Sequence, residues 1–367
     1  MGHIYTENEL GLSKWQLYSG MLITTLPVGF FRRCLATLLL ITATTVGPTA
    51  PAAPAQTRPR AKAPVLILFV GNSFFHGARL PVLTYNSTAI TDENYGQPAG
   101  SPRAEGDGPG PWGGIPAIFK KLTDEAKLNY EVHLEAMSGQ TLKFHYDNAL
   151  SVIDQARWQA VVLQEYSTGP LPDRRNGHRA EFYDYATRLE QTVHRANPAA
   201  RLYLYETWAR ADLTYPPDKP YSGQPLDSMA ADLHAGYYGL ARINGRFAGV
   251  APAGDAWLRA IQTGVAMPDP YAPAPGRLDL WTDDHYHPSP WGAYLNACVL
   301  LATITGRDPR KLGPHEQAAA ALGLSPADAT ALQRVAYEQV RAAPPAQRVP
   351  RRTLIIKSKR AGGTQAR

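Results

Sequence analysis

The stretch that organises the sequence is Val65-Leu66-Ile67-Leu68-Phe69-Val70-Gly71-Asn72-Ser73, in which six apolar residues run into a glycine, an amide and a hydroxyl. A continuous apolar run of this length, bounded by Pro64 and Gly71, favours a parallel strand covered on both faces over a helix. Ligands of open α/β sheets bind at the carboxyl ends of such strands, so Ser73 lies where chemistry is expected. The structural alternative is that Asn72 and Ser73 only cap the next helix.

The rest of the chain alternates between patterns typical of strands and of helices. Strands that alternate with helices at this spacing imply right-handed crossovers between parallel strands. The predicted fold class is therefore α/β, a three-layer α/β/α sandwich with a mostly parallel central sheet. By periodicity, the predicted strands cover about 65–70, 130–136, 160–164, 201–206 and 247–252, and the main helices cover about 114–128, 141–156, 179–196, 227–244, 290–305 and 325–343.

Two segments between these elements have less regular patterns. Helical material interrupted by Pro81 is predicted from His76 to Ile90. The segment 91–111 is dense in Gly, Pro, Asp and Asn, and so long a polar connection inside a domain is often functional. We expect it to lie over the rim of the site, with a tolerated surface loop as the alternative.

A second chemical block, Asp284-His285-Tyr286-His287-Pro288, precedes an apolar helix near the end of the pattern. A serine hydroxyl is a weak nucleophile until a base takes its proton, and the base needs a third group to orient it. His287 is the candidate base and Asp284 the candidate orienting group. Asp283 and His285 compete for these roles, and the three-residue spacing selects Asp284 with His287.

Together the two blocks resemble the SGNH/GDSL family of serine hydrolases, whose first block is a strand followed by Gly-Asp-Ser and whose last block is Asp-x-x-His. The resemblance covers about residues 64–305. It implies an SGNH/flavodoxin-like sandwich in which Ser73, Asp284 and His287 form a catalytic triad. Asn72 replaces the family's Asp, which is not a triad member.

The resemblance also implies an oxyanion hole made of Ser73, Gly139 and Gln164. Gly139 follows the second predicted strand, as the glycine of the family's second block does. The family's third block, Gly-x-Asn-Asp, is replaced here by Leu163-Gln164-Glu165, and Gln164 is expected to supply the side-chain amide. The alternative is that Gln164 and Glu165 only pair with neighbouring loops.

Several polar and aromatic residues fall at strand ends on the same predicted edge. Aromatic rings there suit a sugar ring or an acyl chain, although packing is the structural alternative for each. The residues predicted to contact substrate are Asn72, Glu165, Tyr166, Glu206 and Trp208.

The resemblance predicts an esterase that uses no cofactor and acts on an O-acylated carbohydrate or another small ester through an acyl-enzyme. Two alternatives belong to other classes of protein. One is a non-catalytic glycan-binding protein on the same fold, which the irregular third block allows. The other is a metal-dependent hydrolase built on Asp283, Asp284, His285 and His287, since carboxylate and imidazole groups bind transition metals. No second cluster at a recognisable spacing supports the metal.

Charge is concentrated at the two ends of the chain. Seven Lys/Arg and no acid lie in residues 345–367, and six Lys/Arg against two acids lie in residues 1–63. The whole chain has a net charge of +6, so residues 64–344 have a net charge of −5. This distribution gives no reason to expect a nucleic-acid partner. We expect 345–367 to be a basic, disordered tail that follows a hydrolase domain at 64–344.

The first 55 residues read as a secretion leader followed by a linker at 56–63. Arg32 and Arg33 precede an apolar run from Cys34 to Val46, and Ala53-Pro54-Ala55 is a small-residue cleavage site. The apolar run is short for a retained anchor, so no stable membrane insertion is expected after cleavage. The arginine pair leaves twin-arginine export open, and the predicted location is secreted or periplasmic. Of the two cysteines, Cys298 is predicted to be a buried, inert thiol.

Overall fold

The computed structural model describes residues 63–104 and 110–343. The described residues all belong to one compact unit. The predicted leader, most of the linker and the basic tail lie outside the described residues. No helix in the described part of the chain is long and apolar enough to cross a membrane.

A six-stranded sheet forms the centre of the fold, and every strand pair in it is parallel. Its order is β2-β3-β1-β4-β5-β6, so the chain reverses its direction of travel across the sheet at β1. The strands are β1 Val65–Gly71, β2 Thr91–Asp92, β3 Tyr130–Ala136, β4 Ala160–Leu163, β5 Arg201–Tyr205 and β6 Gly249–Ala251. Ligands bind in such folds at the point where the strand order reverses.

Helices cover both faces of this sheet, which makes the three-layer α/β/α sandwich predicted from the sequence. They are α1 Ser73–His76, α2 Gly114–Glu125, α3 Leu142–Asn148, α4 Leu150–Ile153, α5 Arg179–Ala196, α6 Leu226–Asn244, α7 Ala253–Gln262, α8 Pro290–Thr305, α9 Gln317–Ala321 and α10 Pro326–Ala342. Several begin or end at residues that the sequence marks clearly. Ser289 caps α8 ahead of Pro290, and Ser325 forms a capping box at α10.

Two apolar cores lie on opposite faces of β1, because successive side chains of a strand point to opposite sides. Ile67 and Phe69 pack into a core that includes α2, α8 and α10. Leu68 and Val70 pack into a second core with α3 and α5. All four side chains are fully buried, which is why the strand reads as a continuous apolar run.

The structure corrects the sequence prediction in three places. The segment from His76 to Ile90 is mostly turns, with only a short 3₁₀ helix at Ser87–Ala89. The segment predicted as a rim loop begins with strand β2, which pairs with β3. The helix predicted at 141–156 is two short helices, α3 and α4.

Cys298 is fully buried on α8, and burial raises the pKa of its thiol well above the usual value, as expected of an inert side chain.

Candidate active site

The register of the sheet brings the predicted site residues to one edge. Gly71 at the end of β1 is opposite Ala136 at the end of β3, and Val70 is opposite Leu163 at the end of β4. The residues that follow these three strands therefore emerge at the same height. Ser73, Gly139 and Gln164 come from these three connections.

Ser73 is the first residue of α1 and follows β1 after one residue. Asn72 caps the helix, because its Oδ1 accepts a hydrogen bond from the Phe74 N–H at 3.1 Å. Both interpretations of Asn72-Ser73 thus apply, since Asn72 caps and Ser73 remains available. Within the described residues no hydrogen bond uses the Ser73 N–H, and unpaired N–H groups of a first helical turn favour negative charge.

His287 and Asp284 meet Ser73 across the edge of the sheet. The Ser73 hydroxyl lies 2.9 Å from His287 Nε2, and His287 Nδ1 lies 2.7 Å from Asp284 Oδ2. Asp284 can only accept when ionised, so Nδ1 carries the proton and Nε2 accepts the hydrogen bond from the hydroxyl. This is the arrangement in which an imidazole can take a proton from a serine.

Asp284 is held as an anion by the loop around it. Burial alone would raise its pKa, but hydrogen bonds from the His287 ring, the His287 N–H and the Thr282 hydroxyl outweigh burial and hold the pKa well below its usual value. The Tyr286 N–H also donates to Asp284 Oδ1, at 2.9 Å. Asp283, the competing choice, has a side chain that is 88% exposed and does not contact His287.

Gly139 lies at the site in a conformation that suits glycine. Its φ is +71°, a value that residues other than glycine rarely adopt. A Cβ at this position would meet no other atom within 4 Å. Its N–H makes no hydrogen bond within the described residues. The Ser73 and Gly139 N–H groups are therefore two unpaired donors beside the same cavity.

Gln164 does not lie where an oxyanion donor is needed, which corrects the third predicted donor. The side chain is fully buried, and its Nε2 donates to Asn72 Oδ1 at 3.0 Å and to the Glu165 carbonyl. Both amide hydrogens are thus used. Its Oε1 accepts from the Asn72 N–H at 2.9 Å, so Gln164 positions the residue before Ser73. A Cβ on Gly71 would lie 2.4 Å from the same Oε1.

Three of the residues predicted to contact substrate are buried away from the cavity. Asn72 is 1% exposed and is occupied by the cap, by Gln164 and by the Gln140 carbonyl. Trp208 is fully buried between Phe74 and Trp257, with ring centroids 4.1 and 4.5 Å away. Glu206 is 1% exposed, and burial raises its pKa well above the usual value. Asn72 and Trp208 therefore support the site from behind, and Glu206 faces elsewhere.

Glu165 is also buried, and it ties two loops together. Its Oε1 accepts from the Tyr166 N–H at 2.6 Å, and its Oε2 accepts from the Leu142 N–H at 3.3 Å. Burial raises the pKa of this carboxyl to about 8. Glu165 therefore has a structural role and does not face substrate as predicted. This matches the alternative that Gln164 and Glu165 pair with neighbouring loops.

We expect Glu165→Gln to flatten the pH dependence of stability. Between the ordinary pKa of 4.5 and the folded value of about 8, the folded chain keeps a proton that the unfolded chain has released, so stability falls as pH rises through this window. Each unit of difference between the two pKa values corresponds to ~1.4 kcal/mol in the free energy of unfolding. Across this window the wild type therefore loses up to ~5 kcal/mol of stability that the variant keeps. Urea unfolding from pH 5 to pH 9 measures the difference.

Glu338→Gln is the control for that measurement, because the side chain of Glu338 makes no hydrogen bond within the described residues. This variant should keep the fall in stability that the wild type shows between pH 5 and pH 9. Parallel curves for wild type and Glu165→Gln would show that Glu165 is ionised in the folded chain at neutral pH.

Further residues line the cavity that the sequence did not single out. The cavity is about 450 Å³ and is lined by Ser73, His76, Ala78, Arg79, Leu83, Ser138, Gly139, Tyr166, Tyr286 and His287. Of the five residues predicted to contact substrate, Tyr166 is the one that lines this cavity. The guanidinium of Arg79 lies 3.4 Å from Asp284 Oδ2 and is the cation of the lining. Its place in a turn after α1 gives no periodic signal in the sequence.

His76 occupies the floor of the cavity as a neutral imidazole. Burial, and then the charge of His287, lower its pKa to about 3. Its Nδ1 accepts from the Ala78 N–H at 3.2 Å, so Nε2 carries the proton and donates to the Ser138 hydroxyl at 2.8 Å. Because the Ser138 oxygen accepts this hydrogen bond, the hydroxyl hydrogen of Ser138 is free to donate to another group. Ser138 directly precedes Gly139 in the sequence, and both residues line the cavity.

The metal cluster considered at 283–287 does not assemble. Asp284 and His287 use their facing atoms on each other and on Ser73. Among the described residues, these side chains are not in a group whose donor atoms lie close enough together to hold an ion. The geometry therefore favours the serine arrangement over a metal at this position.

Comparisons with known proteins return solved structures of low sequence identity. No family model and no curated protein matches the chain. A DUF4886 family protein from Bacteroides uniformis is 14% identical, with 75% of this chain and 94% of that chain covered and a TM-score of 0.47. A GDSL-like lipase from Parabacteroides merdae is 14% identical, with 67% and 98% covered and a TM-score of 0.44.

Axe2, an acetylxylan esterase from Geobacillus stearothermophilus, is 15% identical, with 66% of this chain and 94% of that chain covered and a TM-score of 0.42. Lipases and esterases are thus among the solved structures that this chain resembles. The identities of these neighbours are 14–15% and their TM-scores are below 0.5, so the SGNH/GDSL resemblance rests on the sequence blocks.

Proposed function

We propose that this protein is a serine ester hydrolase that works through an acyl-enzyme. The observation that carries the proposal is the continuous chain from the Ser73 hydroxyl through His287 to Asp284, with distances of 2.9 and 2.7 Å. Three groups from two distant parts of the sequence meet in the order that nucleophilic catalysis requires. They do so beside a cavity and two unpaired backbone donors.

In the proposed mechanism Ser73 Oγ attacks the ester carbonyl as its proton passes to His287 Nε2. The carbonyl electron pair moves onto oxygen, and the N–H groups of Ser73 and Gly139 donate to that oxyanion. Asp284 stabilises the imidazolium. When the carbon–oxygen bond breaks, His287 returns the proton to the leaving alcohol. Water then repeats the sequence on the acyl-enzyme, which releases the acid and restores the Ser73 hydroxyl.

The lining of the cavity supports a short acyl group on a polar alcohol. Its side chains are mostly polar or aromatic, and Ala78 and Leu83 are the aliphatic ones among the residues that line it. Such a lining offers few aliphatic side chains to a long acyl chain. Tyr166 and Tyr286 offer rings with polar ends, which suit a sugar. We therefore propose an O-acylated carbohydrate or a similar small ester as the substrate.

The leader-like pattern of residues 1–55 supports a secreted or periplasmic location for this activity. Charged, apolar and small residues follow one another there in the order of a secretion signal. An extracellular or periplasmic enzyme would meet acylated polysaccharides directly.

A fluorophosphonate probe followed by mass spectrometry tests the proposed function. We expect one probe on Ser73, because the reagent captures a serine that an imidazole activates. The same chain should hydrolyse p-nitrophenyl acetate faster than the octanoate, since few aliphatic side chains line the cavity. The expected preference in kcat/KM is about tenfold or more, which corresponds to ~1.4 kcal/mol.

Failure of labelling together with saturable binding of saccharides would contradict the proposal and support the glycan-binding alternative. Labelling with a preference for octanoate would keep the hydrolase and overturn the substrate class. A set of acetylated sugars then identifies the alcohol, with release of acetate as the readout.

A further inference from the structure

A second polar cluster lies outside the cavity, where the end of β5 meets α6 and α7. It consists of Glu206, His234 and Asp255, and one donor atom from each lies within 4.8 Å of the others. His234 Nδ1 lies 3.0 and 3.3 Å from the two carboxylate oxygens of Asp255. It lies 3.7 Å from Glu206 Oε1. The serine mechanism uses none of the three side chains.

An unpaired buried oxygen points into this cluster. Glu206 is 1% exposed, and its Oε1 has no hydrogen-bond partner, whereas its Oε2 accepts from the Asp255 N–H at 3.1 Å. A buried oxygen without a partner destabilises the folded state unless another group compensates it. The unpaired atom is the one that faces His234.

We propose that Glu206, His234 and Asp255 bind a divalent transition-metal ion, with zinc as the best match. Zinc binds nitrogen and carboxylate oxygen at about 2.0–2.2 Å, so donors at the corners of a tetrahedron are ~3.4 Å apart. His234 Nδ1 lies 3.0 Å from the nearer Asp255 oxygen and 3.7 Å from Glu206 Oε1, and these two separations bracket this value. The ion would pair Glu206 Oε1 and replace the proton that His234 shares with Asp255.

The surroundings hold the three ligands in place, as is usual for metal sites. The ring of His234 stacks on Tyr238 with centroids 4.1 Å apart, which fixes the direction of Nδ1. Gln339 Nε2 donates to Asp255 Oδ2 at 3.3 Å, and Arg259 in turn donates to Gln339 at 2.8 Å. One histidine and two carboxylates suit zinc, manganese, cobalt or nickel better than calcium, which takes six to eight oxygens.

The cluster is reachable from solvent on one side. The side chains of His234 and Asp255 are 39% and 17% exposed, while that of Glu206 is at the closed end. A fourth ligand could thus be water. The bound ion would tie α6 and α7 to the residue that follows β5, two positions before Trp208, which packs behind Phe74. We expect it to stabilise the fold, and the serine chemistry does not depend on it.

Calorimetric titration of the chelator-treated, tag-free chain with ZnCl₂ tests the proposal. We expect one ion per chain at this site, and an increase of several degrees in melting temperature with the ion over the value with EDTA. Binding to the folded state alone produces such an increase. MgCl₂ and CaCl₂ should bind at least tenfold more weakly than ZnCl₂.

Variants separate this site from other histidines. His234→Ala and Glu206→Gln should weaken zinc binding at least tenfold and remove the rise in melting temperature. His178→Ala, which removes an exposed histidine at the start of α5, and His287→Ala, which alters the serine site, should bind zinc as the wild type does. Circular dichroism confirms that each variant is folded, and Asp255→Asn serves in place of any that is not.

Absence of saturable zinc binding would overturn the proposal, as would unchanged affinity in both His234→Ala and Glu206→Gln. Loss of binding in His287→Ala alone would place the ion at the serine site and would also overturn it. None of these results depends on ester hydrolysis, so the metal site and the proposed function can fail independently.

Discussion

Replacing Ser73 with alanine is expected to lower kcat for ester hydrolysis on the order of 10⁴-fold or more, because the nucleophile is lost and only binding and oxyanion stabilisation remain. The Ser73 hydroxyl bonds to His287 and to no other described residue. The side chain is also small, so the variant should fold normally. Turnover of p-nitrophenyl acetate measures kcat, and the fluorophosphonate probe should no longer label the chain.

Ser151→Ala is the matched control for this prediction. Ser151 is exposed on α4, and its side chain makes no hydrogen bond within the described residues. Its activity and labelling should equal those of the wild type. If Ser73→Ala kept more than a tenth of the wild-type kcat, the serine mechanism would be wrong.

Replacing Asp284 with asparagine is expected to lower kcat about 10³- to 10⁴-fold while the chain stays folded. Asp284 Oδ1 accepts hydrogen bonds from Thr282, Tyr286 and His287, so the asparagine oxygen should keep that position. The NH₂ group would then face His287 Nδ1, where the wild type has an acceptor. His287 would shift its proton to Nε2 and could no longer accept the proton of Ser73.

Asp283→Asn is a control one residue away with the same chemical change. Its side chain is 88% exposed and lies 3.8 Å from Arg79, so we expect kcat within about twofold of the wild type, as an exposed ion pair contributes little. Equal losses in the two variants would indicate a general effect of charge near Arg79. A loss confined to KM in Asp284→Asn would show that Asp284 binds substrate and does not orient the base.

The sequence predicted the parts of the fold that are set by strong local signals. The helix predicted at 179–196 matches α5, because Asn197 and Pro198 end it. The helix predicted from Pro290 to Thr305 matches α8, because Ser289 caps it and glycine follows it. Strand β2 escaped prediction because two residues in a polar segment carry no measurable alternation. The segment after His76 was predicted to be helical and consists mostly of turns, because its residue types occur in both turns and helices.

The candidate site shows a similar division. The positions of Ser73, Asp284 and His287 follow from strand order and loop spacing, and the structure brings their side chains together. Strand order places Gln164, Glu206 and Trp208 after β4 and β5, yet it does not say whether a side chain turns to the cavity or to the interior. Hydrogen bonds and packing with residues far away in sequence decide that, and local patterns do not record them.

The close approach of Gln164 to Gly71 limits how this protein can diverge. Any side chain at position 71 would strike the amide that aligns Asn72, with only 2.4 Å between them. A Cβ at position 71 would also lie 2.8 Å from Phe75 Cδ2, so a bulkier residue at 71 calls for changes at both 164 and 75 during evolution, and the connection before the nucleophile would then need a new anchor. Descendants that keep glutamine should keep glycine, whatever substrates they have come to use.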